Sequence, residues 1–381
     1  MGIKGLSKLI STYAPRAMKE VDPKKYTGRL IAIDASVMIY QYLVAIRTNS
    51  SMSSLMLTNS EGDVTSHIQG VLSKTIKMME DGLKPVFVFE GKPPEMKRGE
   101  VILDKRKANR EKAEEELKTA QETGNEEDIE KLSKRVVHMD SSHIDDCKTL
   151  LKLMGIPVVD AASEAESQCA ELVKKKVVWG MASEDMDSLT FGAPYLLRHL
   201  TKSQGGKKDQ SGVIEVDLAA VLEDMKLTQE EFVDMCILCG CDYCDTIRGI
   251  GQVKAYQFIQ KYHTIEKVLE NLPDKYSVPP NWPYQEARRL FTSPEVTDAQ
   301  NVTIKFTSID KDGLRSFLVN DKGFNPDRVN SYIERLEKAK DKCKQRRMDS
   351  FFTVKSTSSS QKRSPPPVTK KSKSSKKCIL C

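Results

Sequence analysis

The chain has 381 residues, of which 39% are hydrophobic and 30% charged, enough apolar content to bury a core and to exclude wholesale disorder. Its net charge of +6 comes from 60 Lys+Arg against 54 Asp+Glu, but the tail from Thr353 onward carries eight of the bases and no acid. Residues 1–352 therefore hold 52 bases and 54 acids, so the body is close to neutral and its total charge cannot by itself select a partner. No apolar run reaches the roughly 18–20 residues of a membrane span, and the N-terminus lacks the basic-then-apolar order of a signal peptide, which predicts an intracellular protein. Nine unevenly spread cysteines fit reduced thiols better than a disulfide scaffold.

In chain order, short apolar runs alternate with helical periodicity. Leu30–Ile33, Pro85–Phe89, Pro157–Val159, Val177–Met181 and Tyr195–Leu197 read as buried strands of a mainly parallel sheet. Amphipathic helices are expected over Ser66–Met79, Ile144–Leu153 and Glu166–Lys174, giving an α/β fold with a central sheet flanked by helices. Met96–Val137 is almost entirely charged and reads as exposed helices projecting from the body. Thr201–Gly212 reads as a loop and Pro273–Pro283 as a Pro-punctuated connection, with a small helical unit between them over Thr228–Cys239, Gln252–Tyr262 and Ile265–Leu272. Asn325 is an N-cap candidate with Pro326 at the first helical position, starting a helix to about Lys340. From Lys355 the Ser, Lys and Pro composition predicts a disordered tail.

The chemically informative pattern is that acids follow the strands. Asp34 follows LIAI, Glu90 follows VFVF, Asp185 and Asp187 follow VVWGMASE, Glu164 and Glu166 follow PVV through a short loop, and Asp242 ends FVDMCILCG. In an open parallel sheet, ligands sit outside the carboxyl ends of the strands, so these seven acids are expected along one edge. Like charges gathered there raise one another's pKa unless cations neutralise them. Oxygen-only ligation points to Mg²⁺ or Mn²⁺, and two such ions would suit hydrolysis of a phosphodiester. No Ser-His-Asp arrangement or Gly-rich phosphate loop competes, and the five histidines show no metal-ligand spacing. Cys236, Cys239, Cys241 and Cys244 have a spacing that could suggest zinc or an iron–sulfur cluster; because the run crosses a helix end, structural burial is the favoured reading.

At these residues the chain closely resembles the eukaryotic flap endonucleases, structure-specific 5′ nucleases. The likeness is carried by MGIKGLSKLI at the start, IAIDAS at Ile31–Ser36, MGIPVVDAASEAESQCA at Met154–Ala170, SEDMDSLTFG at Ser183–Gly192 and CDYCDTIRGIG at Cys241–Gly251, and runs over roughly residues 1–352. The resemblance implies two Mg²⁺ ions, replaceable by Mn²⁺, on Asp34, Glu164, Glu166, Asp185, Asp187 and Asp242. Glu90 stands where the family has Asp. Lys97 matches the lysine that orients the scissile phosphate, and Arg106 its partner, with Lys105 as a rival because about two extra residues precede it.

The resemblance further implies a helical arch over the active site, DNA contacts at Tyr40, Arg47, Lys74, Glu164, Gly240, Asp242, Gly249, Gly251 and Lys254, and a helix-two-turn-helix DNA-binding element around Ile247–Lys254, with K⁺ as a further ion. There Gln252 and Val253 replace the family's Pro-Lys. Gln345, Met348, Phe351 and Phe352 fit the box that binds the replication sliding clamp, proliferating cell nuclear antigen, a ring of three subunits. The implied organisation is 1–108 and 138–263 as nuclease regions, 109–137 as arch, 264–340 completing the core, and 341–381 as clamp box and tail.

The implied activity is flap endonuclease with companion 5′-3′ exonuclease action on branched DNA, in Okazaki fragment maturation and long-patch base excision repair, by a monomer. The basic tail predicts nuclear import, to nucleoplasm and nucleolus, with the mitochondrion as a second compartment. The terminal Cys378–Cys381 sequence has the form of a prenylation signal, against which a nuclear role argues. The competing reading is a clamp-bound DNA scaffold without catalysis, favoured only by Glu90.

Overall fold

A computed structural model of the protein describes residues 2–47, 65–94, 96, 100–123, 125, 128–129, 131–132, 136, 139–200 and 212–344. The chain divides into two units, Met1–Gln345 and Arg346–Cys381. The second unit with the expected tail, and the whole clamp box from Gln345, lie outside the described residues.

Among the described residues seven strands form one sheet: β1 (Met18–Val21), β2 (Leu30–Asp34), β3 (Lys84–Phe89), β4 (Val158–Asp160), β5 (Gly180–Ala182), β6 (Tyr195–Arg198) and β7 (Val213–Asp217), in the order β1-β7-β6-β5-β2-β3-β4. The five strands from β6 to β4 pair in parallel, and β7 is antiparallel to both its neighbours. The unbroken apolar runs of β2 and β3 follow from burial on both faces. Ile31, Ile33, Phe87 and Phe89 enter one core, and Ala32, Val86 and Val88 enter the other, because successive side chains leave a strand on opposite sides. The first core lies under the helices Ala35–Arg47, Ser66–Glu80, Ser141–Leu153 and Pro326–Lys344; the second lies under Leu6–Tyr13, Ala165–Lys174 and Gln229–Cys239.

Two strands escape the sequence reading. β1 is a largely exposed edge strand with sequence MKEV and no apolar run. β7 carries Glu215 in its middle, a charge that disguises a strand; it is buried because Tyr26 donates its hydroxyl to it at 2.6 Å and Lys25 its ammonium at 3.1 Å. The run expected as Val177–Met181 is also shorter. Val177 and Val178 donate their amides to the Leu172 carbonyl at 3.0 and 3.3 Å, closing the preceding helix, so β5 starts only at Gly180.

The chain builds outward from β2 through β3 and β4 on one side, then returns to lay β5 and β6 on the other. The reversal leaves a crevice at the carboxyl ends of β2 and β5, where open α/β sheets take their ligands. The charged stretch forms a helix over Glu100–Thr123, about 36 Å long at 1.5 Å per residue. Ala113, Ala120 and Leu132 make a small cluster of their own, separate from both cores, in keeping with a projecting element.

The helical unit begins where Thr228 and Glu231 form a reciprocal capping box. Its parts are tied together by Arg288, which donates to Asp234 at 2.6 and 2.8 Å and to Glu266 at 2.8 and 3.1 Å. Asn325 caps the last helix by accepting from the Asp327 and Arg328 amides at 3.0 and 3.1 Å. Among the described residues no helix is long and apolar enough to cross a membrane.

Candidate active site

Asp34 ends β2 at the crevice and is 2% exposed. Its Oδ1 accepts from the Val37 amide at 3.1 Å and its Oδ2 from the Ser183 hydroxyl at 3.0 Å. Ser183, just beyond β5, also accepts the Asp185 amide at 3.1 Å, so one hydroxyl ties Asp34 to the backbone of the second acidic segment. Burial foremost, with the charges of Glu90 and Asp185 adding to it, raises the Asp34 carboxyl from 3.8 to about 7, against the two hydrogen bonds. Asp34, Glu90 and Asp185 thus occupy one electrostatic neighbourhood across β3, β2 and β5.

The remaining acids continue along the same edge. Asp187 is buried and accepts the Ile3 amide at 3.0 Å. Gly2, at φ 81°, lies so close that a Cβ there would fall 1.8 Å from Asp185 Oδ1 and 2.4 Å from Asp187 Oδ1. The MGIKG start therefore forms part of the site's wall. Glu164 and Glu166 are buried around the start of the helix Ala165–Lys174. Tyr243 donates its hydroxyl to Glu164, and the Tyr243 pKa is pushed far up by burial and by Glu164, Glu166 and Asp187. Asp242, half-buried, precedes Tyr243 in the loop after Gln229–Cys239. Beside Glu164 opens a cleft of about 830 Å³, lined by Lys92, Met96, Ser163 and Arg289 among others.

Among the described residues, no three Asp, Glu, His or Cys side chains already stand arranged to hold a metal ion. The fit to one is chemical: six carboxylates that follow β2, β3, β4 and β5, with Asp242 from the loop after Gln229–Cys239, form a donor set for a hard divalent cation, and burial foremost, then Glu90 and Asp185, holds the Asp34 carboxyl high. A bound cation would favour the ionised form of Asp34 and draw its neighbours inward.

The other expected residues fall into three groups. Tyr40, on the helix after Asp34, is half-buried against the core, as is Lys74, whose pKa is lowered chiefly by burial. In the helix-two-turn-helix loop, Gly249 takes φ 89° and its carbonyl accepts Lys254 Nζ at 2.9 Å, while an added Cβ at Gly251 would meet nothing within 4 Å. The Gly240 carbonyl accepts the Lys4 amide at 3.1 Å, joining this loop to the N-terminal segment. Gln252 packs over Gly5, and Val253 is 45% exposed. Arg47, Lys105 and Arg106 lie on described helices, but their side chains, together with Lys97, Gln345, Met348, Phe351 and Phe352, fall outside the described residues.

Three contributors have no signal of their own in the sequence: Tyr243, the hydroxyl of Ser183, and the backbone at Gly2 and Ile3. Tyr243 could have been found from its place beside Asp242, whereas the contacts of Gly2 span the whole fold. Cys236, Cys239 and Cys244 are buried, in line with the structural reading; the Cys241 and Cys244 sulfurs are 3.8 Å apart.

The N-terminal part of the chain, residues 1–113, matches the XPG N-terminal domain, and residues 155–242 match the XPG I-region. The chain is 53% identical to flap endonuclease 1 of Glycine max, over 92% of this chain and 91% of that one. It is similar in structure to the flap endonuclease-1 from Methanococcus jannaschii, with a TM-score of 0.66 and 32% identity, covering 87% of this chain and 98% of that one. The catalytic core of Rad2 in complex with a DNA substrate shares the fold at a TM-score of 0.66 and 21% identity, covering 88% of this chain and all of the other. Strand order, the acidic edge at the switch point and these matches together place the chain in the flap endonuclease family.

Proposed function

We propose that the protein is a Mg²⁺-dependent, structure-specific nuclease that hydrolyses the phosphodiester near the junction of duplex and 5′ single strand, leaving 5′-phosphate and 3′-hydroxyl ends. Companion 5′-3′ exonuclease action belongs to the same reading. The observation that carries it is the buried Asp34 carboxylate at the switch point, tied through the Ser183 hydroxyl to the backbone of Asp185. Its further support is the name and substrate class of the relatives.

Asp34, Glu90, Asp185, Asp187, Glu164, Glu166 and Asp242 would hold the divalent ions, with Mn²⁺ able to replace Mg²⁺. Bound there, the cations would supply Lewis-acid activation of water and charge stabilisation on the reacting phosphate. The protein's own part is positional. Ser183 sets the spacing of Asp34 and the Asp185 segment, Tyr243 holds Glu164, and the Ile3 amide holds Asp187. Lys97, with Arg106 or Lys105, would steady the phosphate from the arch side. Gly249, Gly251 and Lys254 would take duplex phosphates, and a backbone N–H beside an open glycine suits that contact. K⁺ at that loop, clamp docking through Gln345, Met348, Phe351 and Phe352, nuclear residence, and work in Okazaki maturation and long-patch base excision repair complete the proposal.

The test is a panel of labelled substrates: a 5′ double flap, a nicked duplex, blunt duplex and free single strand. The reading expects preferential incision at the flap junction. Equal cleavage of all four would remove structure specificity, and binding without any cleavage would favour the scaffold reading.

A further inference from the structure

We propose that Cys241 and Cys244 form a reversible disulfide that disables the adjoining carboxylate edge. The two sulfurs already stand 3.8 Å apart, so a bond of about 2 Å needs only a small approach. Cys241 is partly exposed while Cys244 is buried, which gives a small oxidant access to one partner and shelters the other. The residues enclosed between them are Asp242, an expected metal ligand, and Tyr243, whose hydroxyl holds Glu164. On the far side, Trp282 Nε1 donates to the Asp245 carbonyl at 2.7 Å and anchors the chain where it leaves the pair. On the near side the Gly240 carbonyl accepts the Lys4 amide at 3.1 Å, so both flanks are held and closing the four-residue ring shifts the enclosed pair.

The oxidant is a hydroperoxide. Cys241 sulfur takes an oxygen from hydrogen peroxide to give sulfenic acid and one water. Cys244 sulfur then attacks the Cys241 sulfur, the S–S bond forms, and the S–OH bond breaks with loss of a second water. The two sulfurs lose two electrons in all and the peroxide gains them; a dithiol such as dithiothreitol reverses the change.

Loss of Mn²⁺ binding and of cleavage as consequences rests on the proposed function; formation of the bond does not. The experiment treats the full chain with hydrogen peroxide, blocks remaining thiols, maps the peptide spanning 241–244 by mass, and measures Mn²⁺ binding alongside flap cleavage. The expected result is a bridged peptide short of two hydrogens, at least tenfold weaker Mn²⁺ binding and tenfold slower cleavage, all restored by dithiothreitol and absent in Cys241→Ser. Two results overturn the proposal: peroxide that oxidises other cysteines and leaves this pair reduced, or a bridged pair with unchanged Mn²⁺ binding. Should the reduced protein cleave no flap, the nuclease reading fails, and the mapping arm still decides whether the bond forms.

Discussion

Replacing Asp34 by asparagine isolates the cost of holding an acid in the crevice. In the unfolded chain this carboxyl ionises near 3.8, whereas in the fold burial, Glu90 and Asp185 hold its proton until about 7. Between those values the native state binds the extra proton, so stability falls as pH rises through the window and levels off above it. At roughly 1.4 kcal/mol per pH unit, the accumulated cost by about pH 8 is on the order of 4 kcal/mol. The Asp34→Asn side chain keeps the shape and carries no charge, so the stability of this variant should lack the decline. Urea unfolding in EDTA, followed by circular dichroism from about pH 4 to about pH 8, should show Asp34→Asn gaining on the wild type by about that amount. Mg²⁺ at the upper pH should narrow the gap by stabilising only the wild type. Parallel curves for the two proteins across the whole range would refute the reasoning.

Gly2→Ala should force Asp185 and Asp187 aside and slow flap cleavage on the order of 100-fold, as misplacement by about 1 Å does; the strain of a side chain at φ 81° should also lower its melting temperature by a few degrees, and unchanged turnover would show that the segment has room. Tyr243→Phe removes the hydroxyl held by Glu164 and should cost about 1.5–3 kcal/mol in urea unfolding, with weaker Mn²⁺ binding by titration. Glu90→Asp should keep or raise turnover while Glu90→Ala lowers it strongly, and equal rates in all three proteins would show that this side chain is no ligand. Val253→Lys, at an exposed site beside the Gly249 loop, should tighten duplex binding and steepen its log–log salt dependence by about 0.9, read by fluorescence anisotropy against KCl.

The central sheet was legible because a strand buried on both faces must be apolar throughout, and LIAI and VFVF are. The site was legible for a related reason: an acid directly after such a run sits at the sheet's carboxyl edge, as Asp34 does beside Asp185. What stayed hidden depends on contacts between distant segments. β1 has no pattern of its own because its pairing with β7 supplies its order. The charge of Glu215 hides β7 from an apolar-run reading, and only its contacts with Tyr26 and Lys25 explain its burial. The Ile3–Asp187 hydrogen bond joins residues 184 positions apart, and no local periodicity encodes it. Tyr40 illustrates a different limit, since a half-buried aromatic beside a strand end serves equally as core or as a stacking surface.

The most direct test of the account is cleavage of a 5′-labelled double-flap DNA with and without Mg²⁺, beside Asp185→Asn. The wild type should incise at the junction only when the metal is present, and Asp185→Asn should still bind the flap but cut it at a small fraction of the wild-type rate. Cleavage that persists in EDTA, or an Asp185→Asn protein that cuts as fast as the wild type, would contradict it.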